Sequence, residues 1–231
     1  EKTPEVYFQV LRDCGALKTW FPQLDALFGI PQPEKHHPEI DCGIHALLSL
    51  QAAAALTDKN SVRWAALTHD LGKALTPTEE LPRHIAHEKR GLKPIKNLCK
   101  TLKAPKEHQE LALLSCEFHT HVHRAFKLKG ATLNKLFNQT DAWRRKERFE
   151  DFLLVCKADA RGRTGHETEP YPQADYCRAA FAEAGKISAK DMLAKGLQGA
   201  EIRAGLDEAR GQHLQAWKES VLNDGQYQPA E

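Results

Sequence analysis

The chain has 231 residues, 41% of them hydrophobic, enough to bury one sizeable core and a small appended unit. A formal charge of only +2 excludes a polycation that grips nucleic acid through its global field, so any such contact must come from a local patch. With no basic start leading into an apolar core and no long uncharged apolar run, neither a signal peptide nor a membrane span is expected, and a cytoplasmic enzyme is. Cys14, Cys42, Cys99, Cys116, Cys156 and Cys177 form no C-x-x-C pair and read as free thiols, most of them buried in helices. The 12 histidines, several close together, hint at metal or acid–base chemistry.

Thr3-Pro4-Glu5 predicts a helix start that runs through Leu11 and closes at Gly15. Leu17, Trp20, Phe21, Leu24, Leu27 and Phe28 continue at helical spacing, and the glycine and prolines of residues 29–35 impose a loop. The next helix carries Ile44, Leu47, Leu48, Ala52, Ala55 and Leu56 as its apolar stripe, with His45 on it. Asp41, one turn before His45, either orients that imidazole or caps the helix. Asn60 or Ser61 is expected to cap the following helix, whose face is Trp64, Leu67 and Leu71, with Gly72 as its left-handed terminator. His69-Asp70 then sits in the last turn. Such a histidine can contact the last free carbonyls of its helix, or, beside a carboxylate, serve a catalytic divalent ion.

Beyond a loop with Thr76-Pro77 and Leu81-Pro82, His84 and His87 lead into a helix with Leu92, Ile95, Leu98, Cys99 and Leu102 on its apolar side. Lys89, Lys93, Lys96, Lys100 and Lys103 stripe the other side, either as a solvated face or as a phosphate track for RNA. A helix from Pro105 buries Leu111, Leu114 and Phe118 and sets His119 and His123 one turn apart, on about the same face as His108 and Ser115, where two imidazoles can share an ion. Two more helices, over Thr132–Phe137 and around Phe149–Cys156, follow. The second ends in Asp159, a carboxylate that is costly if buried alone. Arg161 and Arg163 either neutralise it or, if it ligates a metal, are left for substrate phosphate. Helices over Ala179–Ala184, Ile187–Leu197 and Gly199–Trp217 complete the chain, which turns polar from about Asp224. Strand-like alternation is nearly absent, so the fold is all-α.

In order, His45, His69-Asp70, His87, His119 and Asp159 form a spaced series of imidazoles and carboxylates on successive helices. This resembles the HD phosphohydrolase superfamily, with its single histidine, His-Asp doublet and late aspartate. The blocks Phe21-Pro22, residues 24–35, His37-Pro38-Glu39-Ile40-Asp41, His69-Asp70-Leu71-Gly72-Lys73 and residues 158–165 are similar, more narrowly, to the bacterial multifunctional CCA family, tRNA nucleotidyltransferases with a C-terminal HD domain. The likeness runs from about Pro4 to residues 196–202. It implies a helical HD-domain bundle at 36–166, flanked by a short N-terminal helical segment at 1–35 and a C-terminal helical tail at 167–231. It also implies His45, His69, Asp70 and Asp159 as the metal set, and His84, His87, His119 and His123 as ligands to a second ion, phosphate contacts or proton donors.

The resemblance further implies hydrolysis of 2′,3′-cyclic nucleotides, 2′-nucleotides and phosphate monoesters, with nickel or magnesium as the ion, while the imidazoles also suit manganese, cobalt or zinc. The catalytic set is then His69, Asp70, His119 and His87, with His119 ahead of His87 as general acid. Lys73, Arg161 and Arg163 would balance phosphoryl charge, and Lys93, Lys96 and Lys100 would contact RNA. Expected partners are tRNA and nucleotide phosphate esters, not a membrane, with a homodimer as an option. The Gly-Ser and Asp-x-Asp nucleotidyltransferase motifs are missing, so the chain reads as the C-terminal part only, without CCA addition of its own. A binding module for tRNA, with no chemistry at the His/Asp set, is the rival.

Overall fold

The computed structural model describes residues 1–227. Among these residues the structure is helical, its sole sheet-like feature being an isolated bridge between Pro31 and Asp41. No helix is long and apolar enough to cross a membrane. The helices are α1 (Pro4–Asp13), α2 (Leu17–Trp20), α3 (Pro22–Asp25), α4 (Cys42–Leu56), α5 (Asn60–Thr68), α6 (His87–Thr101), α7 (Lys106–His123), α8 (Gly130–Gln139), α9 (Lys146–Arg161), α10 (Pro172–Gly185), α11 (Ala189–Ala194) and α12 (Ala200–Asn223). The expected polar stretch from Asp224 lies partly outside the described residues, at 228–231.

Contacts group the chain into two units that interleave along the sequence, one of residues 1–119 and 150–170, the other of 120–149 and 171 onward. The successive stretches 1–35, 36–166 and 167–231 are a different division. Residues 120–149, which include the end of α7 with His123, group with those after 170. In the second unit α8 crosses α12 closely: a side chain on Gly130 would run into the backbone carbonyl of Gly211, and the Gly130 amide donates to Gln215 Oε1 at 2.9 Å. An aromatic cluster fills that unit, with the Phe137 ring 5.7 Å from Phe149 and 5.2 Å from Phe181.

Three local expectations in the first unit are corrected. Asn60 and Ser61 do not cap α5, which opens after extended Lys59 without a side-chain cap. Gly72 has no left-handed conformation and lies in a 3-10 turn over Leu71–Leu75. It is small for another reason: a methyl there would collide with the His87 carbonyl oxygen, while a side chain on Gly91 would meet the Cys116 sulfur and the Gly72 amide. These paired glycines let α6 close on the turn after the His-Asp doublet. Lastly, the core side of α4 is Ala46, Leu47, Leu50 and Ala53 with His45 and Ser49, while Ile44 is 44% exposed and Ala55 faces outward. The helix is apolar nearly all round, so periodicity alone could not choose its face.

Because Gly72 is constrained by proximity, Gly72→Ala is expected to destabilise the metal-free protein by ~1–3 kcal/mol, the usual cost of overpacking. A denaturation midpoint equal to that of the parent would show that α6 has room to retreat.

Candidate metal centre

Each site histidine is fastened by one ring nitrogen, and the fastening is mostly main chain. His69 follows the last residue of α5, and its Nδ1 lies 2.7 Å from the Ala66 carbonyl, one of the orphan acceptors of that helix end. His87 opens α6 with Nδ1 2.8 Å from His84 O, and on α7 His119 Nδ1 is 2.9 Å from Ser115 O. His45 Nδ1 is 3.1 Å from Gly162 O and 2.9 Å from Glu39 Oε1. A carbonyl can only accept, so each ring carries a hydrogen on Nδ1, and in the neutral form of the ring the lone pair is on Nε2.

The four Nε2 atoms meet around two carboxylates. His45 Nε2 is 3.0 Å from Asp159 Oδ1, and His69 Nε2 lies 3.4 Å from Asp159 Oδ2 and 3.3 Å from Asp70 Oδ2. Asp70 Oδ1 faces His87 Nε2 at 3.2 Å and His119 Nε2 at 3.5 Å. All six residues are buried, His45 and His69 completely. Yet His69 Nε2 and Asp70 Oδ1, both buried, make no hydrogen bond of acceptable geometry. They point at shared space, not at each other. Orphaned atoms of this kind, in a set of imidazole and carboxylate donors, are what a divalent cation satisfies. Four overlapping groups lie close enough to share an ion: His37, Glu39 and His45; His45, His69 and Asp70; His69, His119 and Asp159; and Asp70, His87 and His119.

Charge in the cluster is balanced without leaving the interior. Burial would raise the Asp70 carboxyl, but the neighbouring charges of His69 and Lys73 hold it well below the ordinary range. Burial would likewise neutralise His69, but Asp70 and Asp159 push its affinity for a proton well up; His45 and His87 are also raised, by bonds to Asp159 and Asp70. His119 goes the other way: burial, reinforced by the positive His69, brings it down to about 3. The carboxylates that hold protons on His45 and His69 are the charges that attract a cation in their place.

The structure brings together His45, His69, Asp70, His87, His119 and Asp159, and sets Lys73 beside them with Nζ 2.7 Å from Asp70 Oδ2 and 2.8 Å from Gln32 Oε1. The other expected residues lie apart from these groups. His123 Nδ1 bonds the Tyr171 hydroxyl at 2.7 Å, and His84 bonds Thr76 Oγ1 and the Pro31 carbonyl at 2.7 and 3.0 Å. Arg161 and Arg163 do not neutralise Asp159: their Nε atoms donate to the carbonyls of Glu169 and Ala160, at 3.0 and 2.9 Å. Lys93, Lys96 and Lys100 stand exposed on α6.

Asp41 proves to be the cap of α4. Its Oδ1 accepts from the Gly43 and Ile44 amides and its Oδ2 from Gly29 N at 2.6 Å, so it does not orient His45. Glu39 does. Its side chain is 2% exposed, with Oε1 3.0 Å from His37 Nδ1 and 3.2 Å from Gln32 Nε2. Sequence reading missed Glu39 and Gln32. The signal was a carboxylate and an amide on either side of the paired segment in which Gln32 N bonds Ile40 O at 2.7 Å, a pairing invisible before folding.

This geometry fits what comparison with known proteins finds. The chain belongs to the HD domain family, whose pattern matches residues 43–162, and that family supports a general metal-dependent phosphohydrolase role. It is 54% identical over 210 residues to a multifunctional CCA protein of Pseudoalteromonas atlantica, covering 91% of this chain and 52% of that protein. A multifunctional CCA protein of Pseudomonas fluorescens is 53% identical over 223 residues, covering 96% and 54%. The chain thus spans about half the length of the curated relatives it matches.

If Glu39 keeps the His45 hydrogen on Nδ1, Glu39→Gln should lower nickel affinity by about 10–100-fold, the usual effect of losing such a partner, with the fold intact. Calorimetric titration beside a melting curve checks this. Unaltered affinity would mean the Gly162 carbonyl suffices.

Proposed function

We propose that the chain is a metal-dependent phosphohydrolase acting on 2′,3′-cyclic nucleotides, 2′-nucleotides and phosphate monoesters, in the tRNA-processing setting that its resemblance to multifunctional CCA proteins implies. The observation that carries this reading is the convergence of anchored imidazole Nε2 atoms with Asp70 and Asp159. His45, His69, Asp70 and Asp159 would hold the ion; nickel and magnesium are the first choices, then manganese, cobalt or zinc. When bound, such an ion polarises a phosphoryl oxygen and makes water more acidic.

The protein's own groups do the rest. Lys73, tied to Asp70 Oδ2, fixes the rotation of that carboxylate so that Oδ1 faces His87 and His119. Of the two, His87 is favoured here as proton donor: its Nε2 faces Asp70 Oδ1 at 3.2 Å, which raises its proton affinity, whereas burial lowers that of His119. From sequence His119 stands ahead of it. A protonated His87 would deliver its Nε2 hydrogen to the leaving 2′ or 3′ oxygen. His119, with Nδ1–H given to Ser115, presents a lone pair at 3.4 Å from His87 Nε2 and would accept from it between turnovers.

A second reading, tRNA binding, is favoured by one observation: Lys89, Lys93, Lys96, Lys100 and Lys103 are all exposed on a single helix and its end. The two readings are compatible, since the stripe lies outside the metal-binding groups.

With 2′,3′-cyclic AMP, 2′-AMP and a simple aryl phosphate as substrates and nickel supplied, Asp70→Asn and His69→Ala are expected to lose both bound metal and turnover. His87→Gln should retain metal and lose about 10²–10⁴-fold in kcat, the contribution of a general acid. Equal turnover in all three variants and the parent would leave only the RNA-gripping role. For that role, Glu at positions 93, 96 and 100 should weaken tRNA binding and flatten its salt dependence by about one unit of slope per lysine. Binding that is unchanged at both low and high salt would remove the stripe.

A further inference from the structure

A cavity of about 260 Å³ opens beside α4, lined by Leu48, Gln51, Ala52 and Ala55 on one side and by Arg161, Arg163 and Glu167 on the other. None of the residues that could hold the ion lines it. Its floor is the apolar stripe of α4 that the core does not use, the stripe sequence periodicity had assigned to burial. Its polar wall is the last residue of α9 and the segment that follows it, where the arginine Nε atoms bond main-chain carbonyls and not Asp159.

Both guanidinium groups are only partly committed. Arg161 spends Nε on the Glu169 carbonyl, and Arg163 spends Nε on Ala160 O with a long 3.5 Å contact from one terminal nitrogen to His36 O. Neither is paired with a carboxylate, and both line the cavity, so a guanidinium fork of the kind that suits phosphate is within its wall. Opposite them, alanine methyls give a flat floor against which a ring can lie, and the Gln51 amide offers both a donor and an acceptor for a base edge. The volume is at the small end for ligand pockets and suits a compact ligand that sets a planar ring against the apolar side.

We propose that this cavity binds a phosphorylated nucleoside, with its phosphate on Arg161 and Arg163 and its base on the α4 stripe. The site is distinct from the metal centre but touches it through one residue. Gly162, which lines the cavity, also supplies the carbonyl that anchors His45 Nδ1, and a side chain there would strike Ser49 of α4. An occupant would therefore rest against the backbone that holds a metal-site imidazole. The ligand could be a free nucleotide, such as the hydrolysis product, or the end of an RNA strand; both present the same chemistry.

The choice of nucleotides rests on the phosphohydrolase reading, but the test does not. Metal-free protein is titrated calorimetrically with the four nucleoside monophosphates and with the matching nucleosides. At least one monophosphate is expected to bind, its nucleoside at least tenfold more weakly. Ala55→Trp, at an exposed position where a larger side chain does not disturb the core, and the pair Arg161→Ala/Arg163→Ala should each weaken the monophosphate by about tenfold or more, a change of ~1.4 kcal/mol. Nickel binding, read separately, should persist in Ala55→Trp and certifies its fold. An RNA trimer that binds more tightly than the monophosphate, and is lost in the same variants, assigns the site to an RNA end; a weaker one assigns it to the free nucleotide. No monophosphate binding below about 1 mM, or affinity unchanged in both variants, overturns the proposal. Hydrolysis could stand after that failure, and binding could stand without hydrolysis.

Discussion

The site depends on one constraint: four imidazoles are each held at Nδ1, chiefly by main-chain carbonyls, so that four Nε2 lone pairs are delivered to one place. For His69, His87 and His119 the acceptor belongs to a residue three or four positions back in the same chain segment. Local backbone geometry thus sets the direction of these three rings, whereas His45 takes its own from Gly162 and Glu39, distant in sequence or outside α4. What assembly must then supply is only the approach of α4, α5, α6, α7 and α9. Gly72 and Gly91 provide it where α6 meets the doublet, and Gly162 where the end of α9 meets α4. In His69 the Nδ1 edge meets a last carbonyl of its helix, while Nε2 faces the carboxylates at 3.3 and 3.4 Å without a hydrogen bond of acceptable geometry.

Convergence on this scale is not a stability device. Asp70, Asp159 and Glu39 bring three carboxylates into the interior, against a single buried lysine. Desolvating them costs several kcal/mol each unless they are well paired, and apolar residues of the same size would pack at less expense. The cluster compensates through a continuous chain of bonds: Asp70 to Lys73, Lys73 to Gln32, Gln32 to Glu39, Glu39 to His37 and His45, and His45 to Asp159. The carboxylates in turn raise the proton affinity of His45 and His69. A divalent cation at the Nε2 atoms would balance the same carboxylates while the fastenings at Nδ1 stay in place.

The elements of this centre were legible from the chain to different degrees. The helices were, because apolar spacing over ten or more residues has few other solutions, and so were the doublet and Asp159, because a polar pair at the end of an apolar helix has to be satisfied. Glu39 was not. It lies among prolines and histidines in an irregular segment, and only the pairing of residues 30–32 with 40–42 brings it under His45. Asp41 had the right spacing to orient His45 but was nearer to the free amides at the start of α4, and the local bond won. His123 shared a helical face with His119, but one further turn carried it to the Tyr171 hydroxyl. Gly72 was read as a terminator because glycine after a helix usually is one; proximity to α6, a long-range fact, is what it answers to.

The two faces of α4 explain why its pattern misled and why that matters. A helix that buries one stripe in the core, presents His45 and Ser49 to the metal centre, and keeps a further apolar stripe beside two arginines has almost no polar side left. Its composition cannot distinguish core from cavity, since both call for small apolar residues. The distinction comes from α9, whose last turn places Asp159 inward while Arg161 and Arg163 follow outward across Gly162. One turn of chain thereby separates a carboxylate suited to a cation from guanidinium groups suited to an anion, and Gly162, between the two arginines, borders both the cavity and the His45 ring.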